Sequence, residues 1–181
     1  MHKDLARILL TEEQIRNRIR ELGEEISRDY AGKCPVFVGV LKGVIIFFSD
    51  MVRAVDGDCQ FDFMCLSSYG SSTCSSGTAV VKQDLTGSVE GRDVIILEDV
   101  FDTGTSLQTT YEHLLSRNPA SLRICTLLDK PGRRKAGITV KADYTGFVIP
   151  DEFVVGYGLD YGEKYRNLPY IGVLKPEVYT K

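Results

Sequence analysis

The sequence predicts an α/β fold, a mainly parallel sheet with helices on both faces, built as one domain over residues 1–181. Three observations carry that expectation. Apolar runs of strand length recur along the chain: PVFVGVL at 35–41, DVIILED at 93–99 and SLRICTLLD at 121–129. Segments with helical spacing follow the first two, and strands that alternate with helices are joined by crossovers that cover both sheet faces. No internal repeat divides the 181 residues, a length that one substantial core accommodates.

The elements follow in order. Thr11 with Gln14 forms a capping-box pattern, and Ile15, Ile19, Leu22 and Ile26 follow at helical spacing, predicting an amphipathic helix that ends near Tyr30. After the strand at 35–41 a helix is expected over 44–54, then a strand over CQFDFMCL at 59–66. SSYGSSTCSSGT at 67–78 holds six serines and two glycines and reads as a functional loop, with 80–83 as its returning strand. SLQTTYEHLLSR at 106–117 is a helix stopped by Asn118-Pro119. The strand at 121–129 runs into the basic loop KPGRRK, and short strand signals close the chain in YTGFVI, FVVGYGLD and YIGVL.

Composition excludes several classes. With 43% hydrophobic and 26% charged residues and a formal net charge of −3, the chain offers no basic field for nucleic acid or anionic lipid. Its apolar stretches, such as 44–48, are too short to cross a bilayer, and no secretion signal is expected. The five cysteines (Cys34, Cys59, Cys65, Cys74, Cys125) are scattered without a C-x-x-C pair, which points to free thiols in a reducing, cytoplasmic setting. The two histidines, His2 and His113, leave little room for a histidine triad or a two-histidine metal site. Any general base is therefore expected to be a carboxylate.

The most informative stretch is VIILEDVFDTGTSL at 94–107. A buried strand runs into three acids, Glu98, Asp99 and Asp102, and then into a turn that opens a helix. Gly104 permits a tight turn, and the helix N-terminus with the hydroxyls of Thr103, Thr105 and Ser106 makes an anion cradle. A phosphorylated sugar whose hydroxyls meet the acids, together with a cation, would relieve the repulsion among them. An acidic strand end with an ordinary N-cap is the plain alternative. Asp-Thr-Gly is also the aspartic-protease triplet, but it occurs once and in an α/β setting. Neither G-x-x-x-x-G-K-[ST] nor G-x-G-x-x-G is present.

This stretch resembles the phosphoribosyl pyrophosphate signature of type I phosphoribosyltransferases. With LKGV at 41–44, SSYGSS at 67–72, LLDKP at 127–131 and FVVGYGLDYGEKYRNLP at 153–169, the chain is similar over nearly its whole length to the bacterial hypoxanthine-guanine phosphoribosyltransferases. The resemblance implies purine salvage: Mg2+-dependent transfer of 5-phosphoribose from 5-phosphoribosyl 1-pyrophosphate to N9 of a 6-oxopurine. It also implies a small hood built from the N- and C-terminal segments, a lid at about 67–78, and a homodimer or homotetramer.

Residue by residue, the resemblance gives Asp102, Thr103, Gly104, Thr105 and Ser106 to the 5′-phosphate, and Glu98 and Asp99 to the ribose hydroxyls and the metal. Asp102 becomes the proton acceptor at purine N7, or a hydrogen-bond partner there. Lys42 and Gly43, behind a non-proline cis peptide, fall to pyrophosphate together with Ser68, Tyr69 and Arg166. Lys130 meets the purine O6, Phe153 stacks on the base, and Val154 and Asp160 meet the purine edge, Asp160 also holding metal. Thr105 and Val44 depart from the usual lysine and glycine, and Val100-Phe101 is bulkier than the usual pair. Hypoxanthine, guanine and xanthine stay unranked, and a noncatalytic phosphoribosyl-binding regulator is the alternative from another class.

Overall fold

The computed structural model describes residues 1–68 and 79–180. Its central sheet has the strand order β4-β3-β2-β5-β6-β7. The strands are β2 (Val36–Leu41), β3 (Gln60–Ser68), β4 (Ala79–Gln83), β5 (Asp93–Phe101), β6 (Ser121–Asp129) and β7 (Tyr144–Val148). All pair in parallel except β4, which returns antiparallel on β3. The strand at 59–66 thus extends to Ser68, into the segment read from sequence as loop. The remaining positions of that loop, 69–78, lie outside the described residues.

Alternating residues of the strands enter different cores, as the period of two requires. Phe37, Ile95, Leu97 and Leu127 pack with Ile15, Ile19, Leu22 and Ile26 of α1 (Glu12–Asp29) and with Phe47 and Met51 of α2 (Ile45–Ala54). Val38, Val94, Ile96 and Ile124 pack on the opposite face with Leu107 and Leu114 of α3 (Thr105–Leu115). Helices on both faces make the sheet interior, which is why its strands are apolar throughout. The expected capping box at Thr11 and Gln14 is present in both directions, at 3.2 and 2.9 Å. Gly23 lets α1 and α2 touch, since a Cβ there would lie 2.4 Å from the Ala54 carbonyl.

A second sheet joins β1 (Leu5–Leu10), β9 (Ile171–Leu174) and β8 (Val154–Val155) in antiparallel pairs, and a short helix α4 (Pro176–Tyr179) follows. Strand β1 has no counterpart in the sequence reading, and the run FVVGYGLD yields only two strand residues. Gly156 and Gly158 adopt φ of 100° and 101°, which ends the strand there.

The chain order of the central sheet reverses at β2. From β2 it moves to β3 on one side, and it resumes with β5 on the other. In open parallel sheets a crevice forms outside the carboxyl ends of strands at such a switch point. Here those ends deliver residues 41–44 and 98–106.

Candidate functional site

The first part of the site is the turn between β5 and α3. The strand ends at Phe101, and Gly104 takes a left-handed φ of 86° immediately before the helix. A Cβ at Gly104 would also meet the Ile138 side chain at 2.8 Å. The first helical bond runs from Gln108 N–H to the Gly104 carbonyl at 2.8 Å. The N–H groups of residues 105–107 precede it and make the anion-seeking end of the helix. A cavity of about 220 Å³ opens there, lined by Glu98, Asp102, Thr103, Gly104 and Ser106 among others.

The acids divide as strand alternation requires. Glu98 lines this cavity, whereas Asp99 reaches the loop after β2, where a Cβ on Gly43 would fall 1.8 Å from its Oδ2. The Leu41–Lys42 peptide is cis, as the resemblance implied. Gly158 packs on the same loop, its missing Cβ only 2.0 Å from the Gly43 carbonyl. These contacts bring the ends of β2 and β5 against the segment after β8.

That segment carries Arg166 and its acidic partners, and the loop after β2 adds Lys42. Arg166 Nη2 pairs with Asp160 at 2.9 Å, and its Nη1 donates to the Gly158 carbonyl at 2.8 Å. Lys42 Nζ meets both carboxylate oxygens of Glu163 at 3.3 Å, and Glu163 also approaches Arg166 at 3.5 Å. Burial raises Asp99 to about 6, the Val100 N–H and the Arg166 charge pull it down, and Asp160 pushes it up. Burial and the neighbouring Asp99 push Glu98 well above the usual carboxylate range, and Glu98 Oε2 is closed from solvent without a hydrogen-bond partner.

Two adjacent half-buried acids, one holding an orphaned oxygen, fit a divalent cation. Among the described residues no three acidic, histidine or cysteine side chains form a metal cage.

The third part is a cavity of about 380 Å³ lined by Val100, Asp102, Lys130, Phe153, Val154 and Asp160, with Arg133, Asp151 and Tyr179 beside them. Lys130 is a buried cation: its Nζ donates to the Glu152 carbonyl at 2.8 Å, and its N–H bonds the Phe101 carbonyl at 3.0 Å. Burial lowers its pKa, against the pull of Asp102 and Asp151. Phe153 is 38% exposed and stacks on Tyr179 with centroids 4.8 Å apart, so it presents an aromatic surface to the cavity. Val100 and Asp102 line both this cavity and the cradle. Asp102 is therefore the junction of the two.

Of the residues singled out from sequence, Lys42, Gly43, Glu98, Asp99, Asp102, Thr103, Gly104, Thr105, Ser106, Lys130, Phe153, Val154, Asp160 and Arg166 all fall on these three adjoining parts. Ser68 closes β3, and Tyr69 lies outside the described residues. Three further residues went unread. Arg133 Nε donates to Asp102 Oδ1 at 2.9 Å and pairs with Asp151 at 3.5 Å. Arg134 donates to the carbonyls of Phe101, Asp102 and Lys130 and pairs with Asp129, tying the acid turn to the lysine. Glu163 is the third. The signal for the arginines was the basic run KPGRRK that begins at Lys130; nothing in the sequence marked Glu163.

Residues 7–162 match the family model of the phosphoribosyl transferase domain. The chain is 55% identical over 180 residues to the hypoxanthine-guanine phosphoribosyltransferase of Staphylococcus aureus strain Mu50, covering 99% of each. It is 49% identical over 181 residues to the bifunctional protein TilS/HprT of Listeria innocua, of whose length it spans 28%. The crystal structure of a Staphylococcus aureus hypoxanthine phosphoribosyltransferase in a tetragonal form superposes with a TM-score of 0.94 at 54% identity, over 100% of this chain and 97% of that one. The hypoxanthine phosphoribosyltransferase of Trypanosoma cruzi, solved with its product IMP, gives a TM-score of 0.91 at 41% identity over 99% of both chains. With its acids, cradle and buried lysine arranged on this scaffold, the chain belongs to the phosphoribosyltransferase family, among the hypoxanthine-guanine phosphoribosyltransferases.

Proposed function

We propose that the protein transfers 5-phosphoribose from 5-phosphoribosyl 1-pyrophosphate to N9 of hypoxanthine or guanine, giving the nucleoside 5′-monophosphate and pyrophosphate. The observation that carries this reading is the shared wall of the two cavities: an anion cradle and an aromatic pocket meet at Asp102, with the buried Lys130 on the pocket side. One cavity suits the 5′-phosphate, the other a flat base, and their junction suits the bond between sugar and base.

The C1′–oxygen bond to pyrophosphate breaks while the bond from N9 to C1′ forms. Thr103, Gly104, Thr105 and Ser106 hold the 5′-phosphate through hydroxyls and backbone N–H groups. Glu98 and Asp99 accept from the ribose hydroxyls. The departing pyrophosphate is stabilised by the Lys42 and Arg166 charges and the backbone of Gly43, a preorganised electrostatic contribution. Mg2+, when bound, would supply charge neutralisation on the pyrophosphate; Asp99 and Glu98 are the residues that would hold it, whereas Asp160, which the resemblance added to them, pairs with Arg166 at 2.9 Å and completes no three-acid cage among the described residues.

Phe153 and Val154 orient the base so that its N9 meets C1′, the positioning gain of a bound pair. Asp102 takes the purine proton at N7. Lys130 donates to O6; the amino group that adenine carries there would face this donor unpaired, a mismatch that buried sites discriminate strongly. The free cysteines Cys34, Cys59, Cys65 and Cys125 suit a reducing compartment, which we take to be the cytoplasm.

The test is incubation with 5-phosphoribosyl 1-pyrophosphate, Mg2+ and each purine in turn, with nucleotide formation measured. Activity on hypoxanthine and guanine with little on adenine is expected. Equal activity on adenine would defeat the role given to Lys130. Binding of the sugar donor without turnover on any base would replace the enzyme by a noncatalytic phosphoribosyl-binding regulator.

A further inference from the structure

Glu163 stands among the cations of the site in a position that no step of the reaction requires. Its two carboxylate oxygens each lie 3.3 Å from Lys42 Nζ, and Oε2 lies 3.5 Å from Arg166 Nη2. Lys42 and Arg166 come from segments more than a hundred residues apart in sequence, and one carboxylate spans both. The residue is fixed from behind as well: its N–H donates to Asp160 Oδ2 at 2.9 Å, and the other Asp160 oxygen pairs with Arg166 at 2.9 Å.

The backbone is committed to this arrangement. Glu163 has φ of 63°, in the left-handed region, which a glutamate seldom occupies, and Tyr165 follows with φ of 75°. Such conformations persist where surrounding contacts impose them, and they concentrate at ligand clamps. Here the imposed conformation delivers a carboxylate to two cations that otherwise face a polyanion. Tyr165, two residues on, is anchored by its hydroxyl donating to Asp4 Oδ2 at 2.8 Å.

We propose that Glu163 is a built-in counter-ion: it occupies Lys42 and Arg166 in the empty site, is displaced when pyrophosphate binds, and returns to them as pyrophosphate leaves. The inference rests on the assignment of Lys42 and Arg166 to pyrophosphate given above. Two effects follow from one carboxylate. It keeps a lysine and an arginine from repelling each other in the absence of ligand, and it weakens the hold on pyrophosphate by competing for both. Glu163 is thus a positioning residue that tunes pyrophosphate affinity and release, and it lines neither of the two cavities.

The test is a calorimetric titration of inorganic pyrophosphate, in the presence of Mg2+, into the full chain and its Glu163→Gln and Lys42→Met variants. An exposed ion pair contributes little, so Glu163→Gln should bind pyrophosphate about fivefold tighter, and Lys42→Met should bind it more weakly. Glu163→Asn, with a residue that tolerates left-handed backbone, should tighten binding in the same direction and separates loss of charge from loss of backbone geometry. A structural role alone would not tighten binding in either variant. Unchanged or weaker binding in Glu163→Gln and Glu163→Asn, with Lys42→Met still impaired, overturns the counter-ion role and leaves the site assignment standing. Binding that is insensitive to Lys42→Met, or absent in the unsubstituted chain, overturns both.

Discussion

Arg133 Nε donates a hydrogen bond to Asp102 Oδ1 at 2.9 Å, so the acid at the junction of the two cavities carries a cationic partner on one of its oxygens. Asp151 sits on the far side of the same guanidinium at 3.5 Å. The guanidinium fixes the orientation of the carboxylate at the junction.

Asp102→Asn retains the shape and the Arg133 contact through its amide oxygen but cannot take a proton. Turnover should fall by about 10²-fold or more, the usual contribution of a positioned acid or base, while affinity for 5-phosphoribosyl 1-pyrophosphate stays close to that of the parent. Steady-state kinetics with a separate binding measurement checks this. Near-parental turnover would remove Asp102 from proton transfer.

Lys130→Met keeps the buried stem and deletes the donor. A hydrogen bond from a charged group is worth roughly 1.5–3 kcal/mol, so kcat/KM for hypoxanthine should fall by about 10-fold to 150-fold. The activity ratio of hypoxanthine to adenine should narrow at the same time. A variant that lost activity on both bases equally would point to lost packing rather than lost recognition of O6.

At Gly43 the prediction comes from space. A Cβ there would stand 1.8 Å from Asp99 Oδ2, so Gly43→Ala must move either the carboxylate or the loop after β2. The KM for 5-phosphoribosyl 1-pyrophosphate should rise several-fold, and overpacking should cost about 1–3 kcal/mol of stability in urea unfolding. Unaltered kinetics would mean that neither Asp99 nor the loop geometry matters to the sugar donor.

The raised acids make stability depend on pH and on cation together. Asp99 titrates near 6 in the fold, chiefly because of burial, whereas a free aspartate does so at about 4. Between those values the folded state binds more protons than the unfolded one, so stability falls as pH rises from about 4 towards 6. Glu98, raised further by burial and by Asp99, extends the loss upwards. A divalent cation that replaces those protons should therefore raise Tm more at about pH 7.5 than at about pH 5. Thermal melts with and without Mg2+ at both pH values test this; equal gains would mean that the cation does not sit on these acids.

Much of this site could be read in the chain before any coordinates, because its parts lie at the ends of strongly patterned elements. The run Val94–Leu97 announces β5, and the polar stretch behind it must then occupy a carboxyl end. Strand β1 escaped notice because its residues alternate poorly: of Leu5–Leu10 only the two end positions are buried, and its partner β9 lies more than 160 residues away. The contacts Arg133–Asp102 and Glu163–Lys42 were beyond reach for the same reason. Each joins residues whose closeness depends on how distant segments meet, and an exposed arginine or glutamate carries no local sign of its partner. The division of Glu98 and Asp99 between cradle and loop obeys strand alternation, but which surface each acid meets, and the burial that raises both, required the fold.

The pairing of β1 with β9 sets Leu5 opposite Leu174. Segments more than 160 residues apart in the chain thus share one small sheet. Loosening either segment would disturb the other and, through β8, the wall of the aromatic pocket, because the Leu174 N–H donates to the Phe153 carbonyl at 2.8 Å.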